Sequence, residues 1–170
     1  MKILYLGVWK DGTGYSEAAK NYILAMDSVG IDVVPRAIKL NNNNPKIPER
    51  LLKLESKSQV GCTHVIQHIL PSFYEYNGHL KNIGLFAQEC SNLPYEWRER
   101  LNLMDGVFCI SKDMFDFCEK NRVIPKKYVI PHATDISKFN KPYEPIPVIR
   151  DLRNQGNFVF YTIGELVRRK

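Results

Sequence analysis

Four groups of residues have the types and spacing to do chemistry. The first is the glycine loop Gly7…Gly12-Thr13-Gly14. Glycines there let backbone N–H groups approach a ligand, and a helix starting behind them turns its positive end toward an anion. No Gly-Lys-Ser/Thr follows, so this is not a Walker A loop. Glu17 stands where a dinucleotide fingerprint places its third glycine. A tight strand-to-helix turn without a ligand accounts for the same residues equally well. The second group is His64 and His68. On a strand, residues at this spacing face one side but lie roughly 13 Å apart, so the two cannot share a metal. His68 is nearer the carboxyl end and is the one placed to reach a ligand; a packed structural histidine is the competing account. The third is Gln88-Glu89, polar residues directly after the apolar run that ends at Ala87. Glu89 has the chemistry of a hydroxyl acceptor or a general base, and equally of a loop carboxylate. The fourth is Arg168-Arg169-Lys170. Clustered cations suit a diphosphate, and a solvated charged terminus has the same composition.

Elements must hold these groups in place. Lys2–Trp9 is apolar and nearly continuous, as a strand covered on both faces requires. A helix follows from Tyr15, with Ala18, Ala19, Tyr22, Ile23 and Met26 on one face and Gly30 at its end. Ile31–Val34 predicts a second strand, stopped by Pro35. Asn41-Asn42-Asn43-Asn44-Pro45 predicts a mobile polar loop, and Pro48–Ser56 a helix. Further strands fall at Cys62–Leu70, Lys81–Ala87, Gly106–Ile110 and Tyr128–Ile130. A helix starts near Pro94, and Ser111 caps another that runs to about Lys120. Pro131 cannot donate to a ladder and ends the last strand. Strands alternate with helices and no hairpin signal joins neighbours. The pattern predicts an α/β fold, a Rossmann-like doubly wound parallel sheet. In such a sheet ligands bind beyond the carboxyl ends of the strands, which is where the first three groups fall. Residues 1–140 form this domain. Residues 141–156, with Pro142, Pro145 and Pro147, make a linker, and 157–170 restart a strand at Phe158-Val159-Phe160-Tyr161-Thr162-Ile163.

Composition narrows the function classes. The chain has 170 residues, enough for one domain with a proper core. Its four cysteines, Cys62, Cys90, Cys109 and Cys118, lie too far apart for a CxxC metal site and suit free thiols in a reducing cytoplasm. No run approaches the roughly 18 apolar residues of a membrane span, and the apolar stretch at the N-terminus is too short for a signal peptide. The formal net charge of +6 favours anionic partners. No basic stripe interleaved with aromatics appears, which argues against nucleic acid.

Several of these pieces, in this order, resemble the N-terminal half of retaining GT-B glycosyltransferases of family 4, also called group 1. Glu89-Cys90-Ser91-Asn92-Leu93-Pro94-Tyr95-Glu96-Trp97 is similar to the family's Glu-Thr-x-x-Leu-Pro-x-x-Trp pattern, with Cys90 in place of threonine. Met104-Asp105-Gly106-Val107-Phe108-Cys109-Ile110-Ser111 is similar to its Asp-x-Val strand and serine. Pro131-His132-Ala133-Thr134-Asp135 with Phe139 resembles the Pro-His-Gly-Val-Asp-x-x-x-Phe segment that closes the N-terminal domain. Ile163-Gly164-Glu165…Arg169-Lys170 resembles the first strand of the C-terminal domain and its Arg-Lys pair. The likeness is loose over the whole chain and close over residues 86–170.

The resemblance implies a hexosyltransferase that moves a sugar from a nucleotide-sugar donor to an acceptor with retention, in a cleft between two Rossmann-like domains. This chain would be the acceptor-side part, and the donor domain with its Glu-x7-Glu signature would lie elsewhere. By analogy Gly12 and Gly14 lie near the donor phosphates or the acceptor, and Arg169 and Lys170 bind the diphosphate; Thr13, His68, Gln88 and Glu89, candidates from their own positions, complete the expected cleft. Cations and backbone N–H groups stabilise that leaving group, so no metal or other cofactor is expected. The acceptor would be a sugar, a lipid-linked molecule or another nucleophile, and the basic balance also fits contact with a membrane surface. Three departures stand out. Ala133 replaces a glycine, Gln88-Glu89 follow the strand where many relatives carry a histidine, and Glu165 stands where relatives often place arginine. No catalytic residue is therefore assigned, and the 170 residues alone are expected to be inactive. The competing reading is a non-catalytic Rossmann-like module that binds a nucleotide, a sugar or a protein; it requires Phe158, Phe160 and Ile163 to be buried. A nicotinamide-dependent oxidoreductase is a third reading, disfavoured by the missing glycine at Glu17.

Overall fold

The computed structural model describes every residue except 90, 141, 161 and 163–170, and at 138 the backbone alone. The chain divides into two compact units, Met1–Thr134 and Asp135–Lys170.

The first unit is built on six strands: β1 Lys2–Gly7, β2 Asp32–Ala37, β3 His64–His68, β4 Lys81–Phe86, β5 Gly106–Cys109 and β6 Lys126–Val129. They lie in the order β2-β1-β3-β4-β5-β6, and every pairing is parallel. The helices are α1 Gly14–Ser28, α2 Glu49–Glu55, α3 Tyr95–Asn102 and α4 Lys112–Lys120. This is the Rossmann-like α/β arrangement that the alternating pattern predicts. The direction of strand succession reverses between β1 and β3, so the crevice of such a sheet opens there, beyond the carboxyl ends.

Side chains alternate across each strand, and the two faces hold separate cores. On one face Ile3, Tyr5, Val33, Ile66 and Leu85 pack with Ala19, Tyr22 and Ile23 of α1 and with Leu51 and Leu54 of α2. On the other, Phe86, Val107 and Cys109 pack with Tyr74, Leu101 of α3, and Met114 and Cys118 of α4. A close approach fixes this second layer. A Cβ at Gly84 would fall 2.6 Å from the fully buried Tyr74 ring, so glycine is required where the 73–77 loop crosses β4. Cys109 and Cys118 are buried free thiols, and Cys62 is a half-buried one.

Pro35 does not stop the second strand. It lies inside β2 opposite Tyr5. The Ile38 N–H donates to Gly7 O at 2.9 Å. By alternation the residues facing β1 are therefore the even-numbered ones, and Pro35 turns its missing donor to the open edge, where it costs no ladder bond.

In the second unit, Asp135 caps a 3-10 turn over Ile136–Phe139 through Ser137 N at 3.0 Å. Residues Pro147–Asn154, inside the stretch read as a linker, form α5. Pro147 sits in its first turn, where a missing N–H costs nothing, and no α5 residue is buried. Residues 157–160 carry no strand; the rest of the expected strand, apart from 162, lies outside the described residues.

Candidate functional site

After β1 the chain turns sharply. Gly12 has φ of +67°, the left-handed conformation that favours glycine, and the Pro45 ring lies 3.5 Å from where its Cβ would stand. Thr13 is the N-cap of α1, its Oγ1 accepting from Ser16 N at 3.2 Å, and Gly14 opens the helix with free space around it. Asp11 is buried. Its Oδ2 accepts from Leu40 N at 2.9 Å, and its backbone carbonyl accepts from Asn41 and Asn43 Nδ2 at 3.1 Å each. The asparagine loop, expected to be mobile, is thus tied to the glycine loop by two hydrogen bonds, with a third from Leu40 just before it. Asp11 Oδ1 and Trp9 Nε1 are buried without partners among the described residues.

His68 ends β3 on the α1 face and is almost wholly buried. The Tyr5 hydroxyl lies 2.6 Å from its Nδ1. The rings of Tyr5, Tyr15 and Tyr22 surround the imidazole at 6.0, 5.3 and 5.7 Å. Burial, with His132 nearby as a lesser cause, lowers its pKa to about 3, so the ring is neutral at physiological pH. Neutral and enclosed, His68 organises the crevice floor. His64 is farther down the strand, its Nδ1 2.8 Å from Thr63 Oγ1.

The α1 tyrosines join the crevice loops. The Tyr15 hydroxyl accepts from Ala87 N at 2.8 Å and lies 3.2 Å from Ala87 O, holding the residue that follows β4. Burial raises its pKa, and the nearby Glu89 carboxylate adds to the rise against the lowering by Ala87. Tyr22 donates to Ile130 O at 2.9 Å and packs 5.6 Å from the His132 ring. The glycine loop, His68, the 87–89 segment and the chain leaving β6 therefore meet along one helix.

Beside them, beyond the ends of β4 and β5, lies a cavity of about 350 Å³ lined by Gln88, Glu89, Ser91, Ser111, Asp113 and Phe117. Gln88 Nε2 donates to Asn92 O at 3.1 Å. Ser111 caps α4 by accepting from Met114 N at 3.1 Å. The lining holds two carboxylates, two hydroxyls and an amide, and no cation among the described residues. Such a site accepts hydrogen bonds from hydroxyl groups and is a poor place for a phosphate.

Gln88 and Glu89 thus line one cavity, Gly12 and Thr13 shape the turn that starts α1, and His68 lies beneath. Arg169 and Lys170 lie outside the described residues. Tyr15, His132, Ser111 and Asp113 join the site beyond the residues expected from the sequence. Tyr15 lies seven residues before Tyr22 on the same helical face, and that spacing was the available signal. Among the described residues no group of three or more His, Cys, Asp or Glu side chains is placed to hold a metal, and no helix is long and apolar enough to cross a membrane. Comparison of the chain with family models, curated proteins and solved structures finds no match.

Proposed function

We propose that this chain is the acceptor-side domain of a retaining glycosyltransferase with two Rossmann-like domains. The observation that carries the reading is the cation-poor, hydroxyl-accepting cavity of Gln88, Glu89, Ser111 and Asp113 at the carboxyl ends of a parallel sheet. A sugar acceptor offers hydroxyl donors to carboxylates; a donor diphosphate needs cations, which in this reading come from Arg169 and Lys170 and from a partner domain. The motif Pro131-His132-Ala133-Thr134-Asp135 spans the division between the two units, as a segment that closes an N-terminal domain should.

Phe158 and Phe160 are 82% and 88% exposed. A self-contained binding module would bury them, so their exposure favours a chain that needs a further domain. No metal or other cofactor enters this reading; the nucleotide-sugar is a co-substrate, and the acceptor is a sugar or lipid-linked molecule met in the cytoplasm or at a membrane surface.

The test is sugar transfer by the product of the whole natural reading frame, scored as nucleoside diphosphate release across a panel of nucleotide-sugars. Turnover is expected from the whole product, reduced at least tenfold by Glu89→Gln, and absent from residues 1–170 alone. Transfer by the 170 residues alone would contradict the assignment of this chain to the acceptor side.

A further inference from the structure

A second cavity, of about 490 Å³, lies on the sheet face away from α1. Its floor is Leu6 of β1, Val65 of β3 and Ile38, and its rim is the loop that follows the 3-10 turn at Pro71–Phe73. Leu6 alternates with Tyr5, and Val65 with Ile66, so this cavity is separated by the sheet from the His68 cluster.

The rim is held at both ends by buried amides. Gln67 Nε2 donates to Glu75 O at 2.7 Å, and Gln67 Oε1 accepts from Glu75 N at 3.1 Å. Asn82 does the same for Asn77, accepting from its N–H at 2.9 Å and donating to its carbonyl at 2.8 Å. Gln67 and Asn82 are themselves almost fully buried. Between and beside these anchors the loop buries Tyr74 and presents Phe73 and Tyr76, 51% and 53% exposed. Neither ring stacks on another ring or carries a cation among the described residues, and the Glu75 carboxylate makes no hydrogen bond or ion pair there. Among the described residues Glu75 is the one charged residue of the lining. Two buried amides thus fix a loop that leaves the Phe73 and Tyr76 rings half exposed and, among the described residues, the Glu75 carboxylate without a polar partner.

We propose that this cavity binds a small organic ammonium ion with an apolar body. The hydrocarbon would rest on Leu6, Ile38 and Val65, and the cation would sit by Glu75 against the faces of Phe73 and Tyr76, where a ring quadrupole attracts positive charge. The volume falls in the range of small-molecule sites, about 300–1,000 Å³. An anion has no donor cluster to meet in this lining. The proposal does not depend on glycosyl transfer, because its residues lie on the other face of the sheet.

The whole 170-residue chain, ¹⁵N-labelled, would be titrated with 2-phenylethylammonium, 2-phenylethanol and 3-phenylpropionate. Saturable shifts of the Val65–Gln67 and Phe73–Asn77 amides are expected with the ammonium ion and not with the carboxylate, although a net charge of +6 favours the carboxylate overall. Glu75→Gln should weaken ammonium binding about fivefold, the worth of a partly exposed charge contact, and Tyr76→Ala should weaken it further. Both sites are exposed, and amide spectra unchanged away from the loop would confirm folding. Equal binding of the carboxylate, affinity unchanged in Glu75→Gln, shifts confined to other regions, or no shift up to about 10 mM ligand would overturn the proposal.

Discussion

At the scale of single residues, His68 carries the clearest physical signature. Its folded pKa is about 3, against 6.5 when exposed in the unfolded chain. Between those values the unfolded chain binds the additional proton, so stability falls as pH falls, by about 1.4 kcal/mol per pH unit for this group. Urea unfolding at pH 7, 6 and 5 should therefore show a steeper loss in the native chain than in His68→Asn, by about one proton. Parallel slopes would mean that the tyrosine cage does not hold the ring neutral. Tyr15→Phe tests the neighbouring contact. It leaves the half-buried Ala87 peptide without its hydroxyl partner, at a cost of about 1 kcal/mol, and should speed amide exchange at Ala87 more than at β3. Neither contact could be read from the sequence. His64 and His68 are the same residue type on one strand, and only the three-dimensional arrival of Tyr5, Tyr15 and Tyr22 separates a caged imidazole from a half-buried one. His132 joins them from a distance in sequence that no local pattern spans.

At the scale of elements, Gly84→Ala is expected to destabilise by about 1–3 kcal/mol, since the added methyl would meet the buried Tyr74 ring and the core must shift to admit it. Ser111→Ala should cost about 1 kcal/mol through loss of the α4 cap. Chemical denaturation of both variants checks these values; a neutral Gly84→Ala would show that the 73–77 loop moves freely over β4. The central strands and the α4 cap were legible because their signals are local: apolar runs of strand length, and a serine at the start of an amphipathic stretch. Pro35 misled because proline reports only a missing donor. Whether that donor would have faced a neighbour or an open edge depends on strand order, which the sequence does not display. The helix Pro147–Asn154 was hidden by three nearby prolines, although the last occupies the first helical turn, where proline is at home. At the β4 crossing, Gly84 looked like any glycine in a strand until the loop that crosses it was known.

At the scale of the molecule, the two units differ in how well they satisfy themselves. Met1–Thr134 has a two-faced core, whereas Asp135–Lys170 exposes Ile136, Phe139, Tyr143, Val148, Phe158 and Phe160. Limited chymotrypsin digestion should cut first after the aromatics at 139–160 and leave a resistant core ending near Thr134; early cuts within β1–β5 would contradict this division. A dense run of exposed apolar side chains marks a surface awaiting cover, and the glycosyltransferase reading supplies it as a donor domain. The measurement that tests this account most directly is the reading frame beyond Lys170. The account predicts a continuation of about one domain carrying Glu-x7-Glu. A stop directly after Lys170, or a continuation without that pair, would contradict it.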